Sequence, residues 1–267
     1  METATITYYL LHGLLAPTPL FLVLYFIITS FLTLLAVSCY LHRSQTHRSV
    51  SFIWPVNFVF RVILWFFTGM VTKEWVSIHR KHHATCDTPE DPHSPRYFGL
   101  KKILLEGADI YQKLARNNPE LLREYGEGTP NDWLERNLFG GRNTLGVILS
   151  LIIQLILFGF PALIIWPLQM LVIPIIAAGF INGIAHVWGY QRYKDGDVRD
   201  DGKVHARIGD ALNVPTYGLA VGEEFHNNHH AYQDRYKFSH AWYELDIAGT
   251  FIELMTWVGF ARVPKRK

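Results

Sequence analysis

The most restrictive feature of this sequence is a repeated spacing of histidines. Residues 73–83, KEWVSIHRKHH, place three histidines at i, i+3 and i+4, so that a helix would project all three from one face. Residues 223–230, EEFHNNHH, repeat the spacing, and HRSQTH and NGIAH add three more histidines beside long apolar runs. A lone histidine is usually an ordinary core or surface residue, whereas this pattern predicts a metal site. These four places hold nine of the thirteen histidines, namely His42, His47, His79, His82, His83, His186, His226, His229 and His230.

The composition favours an integral membrane protein. Of the 267 residues, 49% are hydrophobic, and the net charge of +2 gives no reason to expect a nucleic-acid partner. The two cysteines, Cys39 and Cys86, are too few for a thiolate metal cage, and we expect no disulfide between them. Histidines must therefore supply the metal ligands.

Three apolar segments are long enough to cross a bilayer, which takes roughly 20 residues. They are residues 18–41, 145–166 and 168–187, and the last two are predicted to form a hairpin. Residues 5–16 and 52–72 are predicted to be interfacial or re-entrant helices. Residues 73–143 and 191–267 are predicted to form a cytoplasmic helical cap. Within it we expect an amphipathic helix over residues 100–125, interrupted near Asn118 and Pro119, and then a short helix capped by Thr129 or Asn131. We therefore expect one domain, residues 1–267, with an all-α fold of transmembrane helices and a cap that holds a histidine-rich di-metal site.

The predicted topology depends on residues 52–72. Arg61 near their centre would cost about 2.5–3.5 kcal/mol in a spanning helix. A full crossing would also put residues 42–47 and 79–83 on opposite faces of the membrane, where they could not share a metal. Basic residues on the histidine side favour the cytoplasm, and the basic tail is predicted to contact the membrane surface. These residues are Arg43, Arg48, Arg80, Lys81, Lys265, Arg266 and Lys267.

The ligand type leaves the metal open. Catalytic zinc sites use three protein ligands, so nine imidazoles exceed one such site and imply two metals. Imidazole suits iron, copper, nickel and zinc alike. The sequence contains no HExxH motif, which disfavours a zinc metalloprotease.

The stretches HRSQTH, EWVSIHRKHH, NGIAH and GEEFHNNHH, in this order beside apolar segments, resemble those of the integral-membrane fatty acid desaturases. The bacterial members and the stearoyl-CoA desaturase branch are the most similar, and the likeness covers residues 41–239. The resemblance implies a non-haem di-iron centre on the cytoplasmic side, in a bacterial inner membrane. It assigns all nine of these histidines as iron ligands and Asn182 as a ligand through a bound water.

The resemblance also implies the reaction. Two iron ions with O₂ as co-substrate would remove two hydrogens from a saturated acyl chain and leave a cis double bond and water. Unactivated C–H bonds are too strong for side-chain acids or bases, so a metal-dependent oxidant is required. The sequence carries no CxxCH haem motif, ferredoxin-type cysteine run or GxGxxG fingerprint. We therefore expect the electrons to come from a separate ferredoxin, or from a cytochrome with its reductase.

Several further residues receive weaker assignments. Trp75 aligns with a tryptophan that borders the acyl tunnel in relatives, although an interfacial aromatic is the alternative. Glu223 and Asp87 are candidates to orient ligand imidazoles. Asp91 and His93 belong to a family phrase and are expected to lie behind the ligands. His205 and His240 are expected to be ordinary surface residues, and His12 is not expected to be a ligand.

One departure leaves the acyl carrier open. Animal acyl-CoA desaturases have Arg-Asp immediately before the HRxHH histidines, where it helps to bind the CoA headgroup, and this chain has Ser77 and Ile78. The carrier could be CoA, a carrier protein or a phospholipid. Lys101 and Lys102 could meet a phosphate, but a solvated pair is the simpler interpretation.

Other activities fit parts of the pattern. A related di-iron membrane hydroxylase or fatty acid decarboxylase would use the same oxidant and diverge after the first hydrogen abstraction. A zinc-dependent membrane hydrolase or receptor needs only three histidines and no reductant. A divalent-metal transporter would place polar ligands deep within its spans, whereas these histidines lie at or beyond the ends of the apolar runs.

Overall fold

The computed structural model describes residues 2–205 and 207–264, so the predicted role of the tail at Lys265, Arg266 and Lys267 lies outside the described residues. The fold is the predicted all-α membrane arrangement, with one two-stranded sheet. Its α-helices are α1 (Glu2–His12), α2 (Pro19–Ala36), α3 (Trp54–Phe67), α4 (Thr72–Thr85), α5 (Pro95–Phe98), α6 (Leu100–Asn117), α7 (Pro119–Tyr125), α8 (Asn143–Phe158), α9 (Ala162–Ile173), α10 (His226–Ala231) and α11 (Ile247–Trp257). Strands β1 (Ser51–Phe52) and β2 (Ala261–Arg262) pair antiparallel.

The first long helix carries the first histidine pair to the site. The Thr18 side chain caps α2 by accepting a hydrogen bond of 3.2 Å from the Phe21 amide, and Pro19 occupies the first turn, where its missing N–H costs nothing. The helix then widens into a π-helical segment, Val37–Thr46, so the whole apolar helix runs over Pro19–Thr46. It is one of two helices in the described residues that are long and apolar enough to cross a membrane. Its π-helical end contains His42.

Helices α3 and α4 meet at an angle of 92° across a short break, so the pair is either a broken span or a re-entrant loop. Gly69 adopts φ +64°, a conformation that glycine reaches without strain, and the Thr68 hydroxyl caps the end of α3 at Leu64 O. Arg61 on α3 is buried, and it is neutralised by Asp132 at 2.7 Å and Glu135 at 2.9 Å. The cost expected for a lone arginine in lipid therefore does not arise. The predicted amphipathic or re-entrant role of residues 52–72 remains a prediction.

The second long apolar helix begins earlier than the sequence indicated. The turn between α8 and α9 falls just before Ala162, whereas the sequence analysis placed the break at Pro167, which lies inside α9. Gly159 makes the turn with φ +63°. Apolar residues continue on both sides of it, so hydropathy did not mark the turn. The helix continues through a π-helical segment, Pro174–Ile181, and a 3₁₀ turn, Ile184–His186.

Hydrogen bonds between buried polar side chains join three of the apolar helices. Gln169 on α9 donates to Thr29 on α2 at 2.7 Å and accepts from Gln154 on α8 at 3.0 Å, and all three side chains are buried. Buried amides in an apolar bundle are costly unless they are hydrogen-bonded, so this pairing fixes the relative positions of the three helices.

The N-terminal segment covers one end of this bundle. Helix α1 ends at His12, earlier than the predicted residue 16, and Leu14 and Leu15 donate their amides to Ile156 O and Leu157 O at 2.9 and 3.0 Å. The last carbonyls of a helix have no partner within it, so the linker after α1 satisfies those of α8.

The cap contains helices between residues 95 and 125 and is largely irregular after residue 187. The predicted interruption near Asn118 and Pro119 is confirmed, because α6 ends at Asn117 and the Asn118 side chain caps α7. The expectation that Thr129 or Asn131 caps the next helix is wrong. Asp132 accepts from the Glu135 amide at 2.8 Å instead, since its carboxylate is also held there by Arg61.

Candidate metal centre

Five imidazoles form the first group, which we call the five-histidine cluster. The Nε2 atoms of four of them follow one another around a ring at 2.9–3.0 Å. Neighbouring ring centroids are 4.3–4.8 Å apart and opposite ones 6.3–6.5 Å, which are the edges and diagonals of a square. The fifth ring lies 4.6–5.6 Å from all four and so caps the square. The square is His42, His79, His83 and His229, and the cap is His47.

Four imidazoles form the second group, the four-histidine cluster, from His82, His186, His226 and His230. Nε2 atoms face each other at 3.0 Å between His186 and His226 and at 3.3 Å between His82 and His230. The two clusters are neighbours, because the rings of His83 and His230 are 4.3 Å apart. The structure therefore brings together all nine histidines that the sequence singled out.

Two helices supply residues to both clusters. Consecutive residues of a helix point about 100° apart, so His82 and His83 on α4 turn into different clusters. His229 and His230 on α10 divide in the same way. One pair of helices thus sets the separation of the two metal positions.

Buried asparagines hold α10, which is only six residues long, in place. Asn228 donates to Phe238 O at 2.9 Å and accepts from Asn213 at 2.8 Å, and Asn227 bonds the main chain at Tyr193 and Ala211. A helix this short has little stability of its own, so these side chains fix its histidines. The sequence analysis missed this function, although NN between histidines in HNNHH was an available signal.

Three of the imidazoles are oriented by carboxylates that contact Nδ1, while Nε2 points into the cluster. The Nδ1 atom of His186 contacts Asp87 at 2.9 Å, that of His82 contacts Asp91 at 2.9 Å, and that of His42 contacts Glu223. Such contacts fix the tautomer, because Nδ1 carries the proton and Nε2 presents its lone pair to a metal. The geometry agrees with the orienting role that the sequence analysis predicted for Glu223 and Asp87, and adds Asp91 to it.

A buried arginine stands behind only one of these carboxylates. Arg43 is fully buried and bridges Glu223 at 2.6 Å and Asp246 at 3.0 Å, with the Phe238 ring beneath its guanidinium at 3.6 Å. Burial raises the pKa of Glu223, but His42 and then Arg43 outweigh it and lower the pKa to about 2. From the sequence, Arg43 was grouped with the basic residues of the cytoplasmic side. Its buried ion pairs with Glu223 and Asp246 were not predicted.

The chemistry of this donor set fits two metal ions. Burial lowers the pKa of His226, His229 and His230 well below the usual range, with neighbouring imidazoles as a second cause, so these rings are neutral and able to coordinate. In the described part of the chain their Nδ1 atoms have no hydrogen-bond partner, while the Nε2 atoms converge. Uncharged imidazole is a good ligand for iron, copper, nickel and zinc.

An apolar cavity of about 320 Å³ ends at the metal centre. His42, His79 and His226 line its inner end together with Asn182, and the Trp75 ring stacks on His79 at 4.7 Å. The outer walls come from α2, α6 and the second long apolar helix, through residues such as Leu34, Tyr111, Met170, Ile173 and Ala177. The positions of Trp75 and Asn182 agree with the predicted tunnel and water-holding roles, which remain predictions.

The four other histidines lie outside the two clusters. His205 is buried and its Nδ1 lies 2.8 Å from Ala231 O, so the expectation of a surface residue is wrong. It packs against the rings of Tyr193 and Tyr232, at 5.2 and 5.0 Å between centroids, and polar sequence does not reveal such burial. His240 is half-buried beside Tyr193, and His12 is exposed in α1. His93 is buried and stacks on His82 at 4.3 Å, with both ring nitrogens unpartnered among the described residues.

Ser77 and Ile78, where animal acyl-CoA desaturases carry Arg-Asp, lie in the interior of the protein. Both residues are fully buried, and Ile78 packs with Ala115 and Leu121 beneath α6 and α7. The position at which animal acyl-CoA relatives carry Arg-Asp is therefore covered in this protein. A headgroup cannot reach it without displacing α7.

Comparison with known proteins identifies the class. A family model described as fatty acid desaturase matches residues 17–250, so the chain belongs to the fatty acid desaturase family. It is similar to a palmitoyl-monogalactosyldiacylglycerol delta-7 desaturase of Arabidopsis thaliana, at 24% identity over 85% of this chain and 57% of the relative. Delta-9 acyl-lipid desaturase 2 of the same plant is 25% identical, over 85% of this chain and 69% of the relative.

An acyl-CoA 5-desaturase of Anemone leveillei is 28% identical, over 82% of this chain and 64% of the relative. The chain spans little more than half of the length of the first of these relatives, at 57%. Both acyl-lipid and acyl-CoA enzymes thus occur among the similar proteins.

Proposed function

We propose that this protein is an O₂-dependent fatty-acyl desaturase that inserts a cis double bond into a saturated acyl chain at a di-iron centre. The observation that carries the proposal is the meeting of two buried histidine clusters with one apolar cavity. A hydrolase would need one metal and access for water, whereas this cavity has mostly apolar walls. Membership of the desaturase family supports the same conclusion.

The chain's own residues would hold and orient the metals. The five-histidine cluster would hold one iron and the four-histidine cluster the other, with Asn182 holding a water at the second. When bound, the two irons would supply the oxidising chemistry, with O₂, that removes two hydrogens from the chain. Glu223, Asp87 and Asp91 would keep the Nε2 lone pairs directed at the metals.

The cavity would bind and orient the acyl chain. Met170, Ile173 and Ala177 offer it an apolar wall, and Trp75 would fix the chain where it passes His79. An acyl chain that fills this space excludes water from the metal centre and limits which carbons approach the clusters. The position of the new double bond would then follow from how the acyl chain is placed along the cavity relative to the clusters.

The proposal also includes the membrane in which the protein lies, the face that carries the active site and the electron donor. Arg48, Arg80 and Lys81 lie near the histidine clusters, which by the positive-inside rule supports a cytoplasmic active site. We place the protein in a bacterial inner membrane, although the relatives above come from plants. A separate ferredoxin, or a cytochrome with its reductase, would deliver two electrons per turnover.

The proposal can be tested by metal analysis and lipid analysis together. The full chain is expressed with iron in a host that supplies a ferredoxin and its reductase, and the purified protein is assayed in detergent. We expect about two irons per chain and a new unsaturated fatty acid in the host lipids, dependent on O₂. Hydrolytic turnover by a zinc-loaded protein that needs no O₂ would contradict the proposal, as would unchanged lipids with two irons bound and the donor present.

A further inference from the structure

A cleft of about 570 Å³, lined in part by charged side chains, lies between the start of α4, the loop after α7 and the segment before α8. Lys73 and Trp75 are two positions apart on α4 and so point in nearly opposite directions. The cleft lined by Lys73 is therefore separated from the cavity lined by Trp75 by the body of this helix. The roles proposed above do not use the cleft.

The cleft has an excess of unpaired positive charge. Lys73 and Arg136 line it, both are exposed, and neither has a carboxylate within ion-pair distance among residues 2–205 and 207–264. Arg123 also lines it and is paired with Glu120. Of the two acids in the lining, Glu135 is already occupied by Arg61, which leaves Glu127.

Two more guanidiniums lie behind the loop of residues 126–131. Arg48 donates to Glu127 O at 3.1 Å, and Arg80 donates to Glu127 O and Tyr125 O, each at 2.8 Å. These partners are main-chain carbonyls, so they bind the two arginines without cancelling their charge. Gly128 adopts φ +74°, a conformation that glycine reaches without strain, and the loop there passes close to the end of the Arg48 side chain.

The position of the cleft indicates the kind of anion. One wall, which includes Arg136, Gly140 and Gly141, immediately precedes the apolar helix α8. Another wall is Val71, which follows the apolar helix α3. The cleft therefore adjoins one end of each of two apolar helices, and when such helices lie in a bilayer their ends are where lipid phosphates are expected.

The cleft and the cavity are close neighbours along the chain. Val71 lines the cleft and Met70 lines the cavity, so only the break between α3 and α4 separates them. A molecule with a phosphate in the cleft and an acyl chain in the cavity needs to pass only this break.

We propose that the cleft binds the phosphate of a phospholipid, whose acyl chain passes Met70 and Val71 into the apolar cavity. Lys73 and Arg136 donate to the phosphate oxygens, since charge-assisted hydrogen bonds are the strong ones at such sites. The inference rests on the proposed desaturase function and deepens it, because it selects a phospholipid as the acyl carrier. The burial of Ser77 and Ile78 beneath α7 agrees with this choice, because it covers the alternative headgroup position.

The test is a calorimetric titration of the purified full chain, in a neutral detergent, with dioctanoyl phosphatidylglycerol. The double variant Lys73→Gln/Arg136→Gln removes both unpaired cations at exposed positions, so folding is not at risk. Each lost charge-assisted hydrogen bond weakens binding by about tenfold, so we expect a loss of about tenfold to a hundredfold. The matched control is Lys101→Gln/Lys102→Gln on α6, which removes the same charge elsewhere and leaves the affinity unchanged.

Parallel titrations with coenzyme A and with inorganic phosphate distinguish the sources of phosphate. We expect both to bind at least tenfold more weakly than phosphatidylglycerol, because neither places an acyl chain in the cavity. Equal phosphatidylglycerol affinities in the wild type and the Lys73/Arg136 variant would overturn the site. Coenzyme A binding that is as tight, and lost in the same variant, would overturn the choice of a lipid. Binding is measured without turnover, so this result stands apart from any failure of desaturation.

Discussion

The two histidine clusters differ in how their imidazoles are supported. Among the residues that the structure describes, His42 is the one member of the five-histidine cluster whose ring contacts a carboxylate, and Arg43 partly neutralises that carboxylate. In the four-histidine cluster both His82 and His186 have a carboxylate, and among the described residues no arginine or lysine forms an ion pair with Asp91 or Asp87.

This difference teaches that the two histidine clusters are not equivalent as candidate metal sites. A carboxylate behind an imidazole makes it a more basic ligand, and a cation on that carboxylate weakens the effect. The five-histidine cluster therefore has more imidazoles, but its one carboxylate contact is weakened by Arg43. The four-histidine cluster has fewer imidazoles, and two of them contact carboxylates that no described arginine or lysine pairs with. The four-histidine cluster also keeps more room for ligands that the protein does not supply.

The largest expected effect comes from removing one ligand from each cluster. His82→Ala and His83→Ala lie side by side on α4 but belong to different clusters. Each should abolish desaturation and lower bound iron from about two towards about one per chain, because the altered cluster loses one of the imidazoles that would hold its iron. Metal analysis of the purified proteins checks this, with His12→Ala as the control. If both variants keep two irons, the division into clusters is wrong.

Next in size is the loss of the cation behind the five-histidine cluster. Arg43→Met would leave Glu223 and Asp246 as buried charges without their partner, and breaking such a pair costs about 3–5 kcal/mol. The measurement is denaturant unfolding in detergent. The control is Arg96→Met, which removes an exposed pair with Asp210 and should cost less than about 1 kcal/mol. Similar losses in the two variants would show that Arg43 has no special role.

A smaller effect is expected from a carboxylate of the four-histidine cluster. Asp91→Asn keeps the shape but removes the charge behind His82, and loss of such a partner typically costs 10-fold to 100-fold in metal affinity, so we expect about that range. Competition with a chelator measures the affinity of each site. Glu223→Gln, at the cluster where Arg43 already weakens the carboxylate, should cost less. The reverse order would contradict the proposed difference between the clusters.

The smallest effect is expected at His93, the tenth buried histidine near the clusters. It stacks on His82 and its Nδ1 lies 4.0 Å from Asp91, but it is not a member of the four-histidine cluster. His93→Phe preserves the stacking, so activity should stay within about twofold and both irons should remain bound. Loss of one iron in this variant would make His93 a ligand.

The sequence predicted the site well where the signal is local. The spacing of His79, His82 and His83 follows from the period of a helix, and the structure places all three in the clusters. Their division between two clusters was not predictable, because it depends on the angles at which α2 and α10 approach α4. The contact between His42 and Glu223, which are 181 residues apart, likewise arises only in the folded protein.

The fold was predicted less well where apolar sequence is uniform. Pro167 was taken as the end of a span, yet it lies inside α9, and the chain turns at Gly159. Both residues sit in apolar surroundings, so hydropathy does not separate a turn from a tolerated proline. His205 shows the opposite error. It lies in a polar segment without helical periodicity, where exposure is expected, and it is nevertheless buried.

The contact between the N-terminal linker and α8 has a consequence for how the protein is made. The amides of Leu14 and Leu15 leave the ribosome early, whereas the carbonyls of Ile156 and Leu157 that they satisfy leave it much later. Those carbonyls have no donor in a lipid environment until the two segments meet. These two hydrogen bonds can therefore form only after α8 has been synthesised, so this end of the bundle is completed late in synthesis.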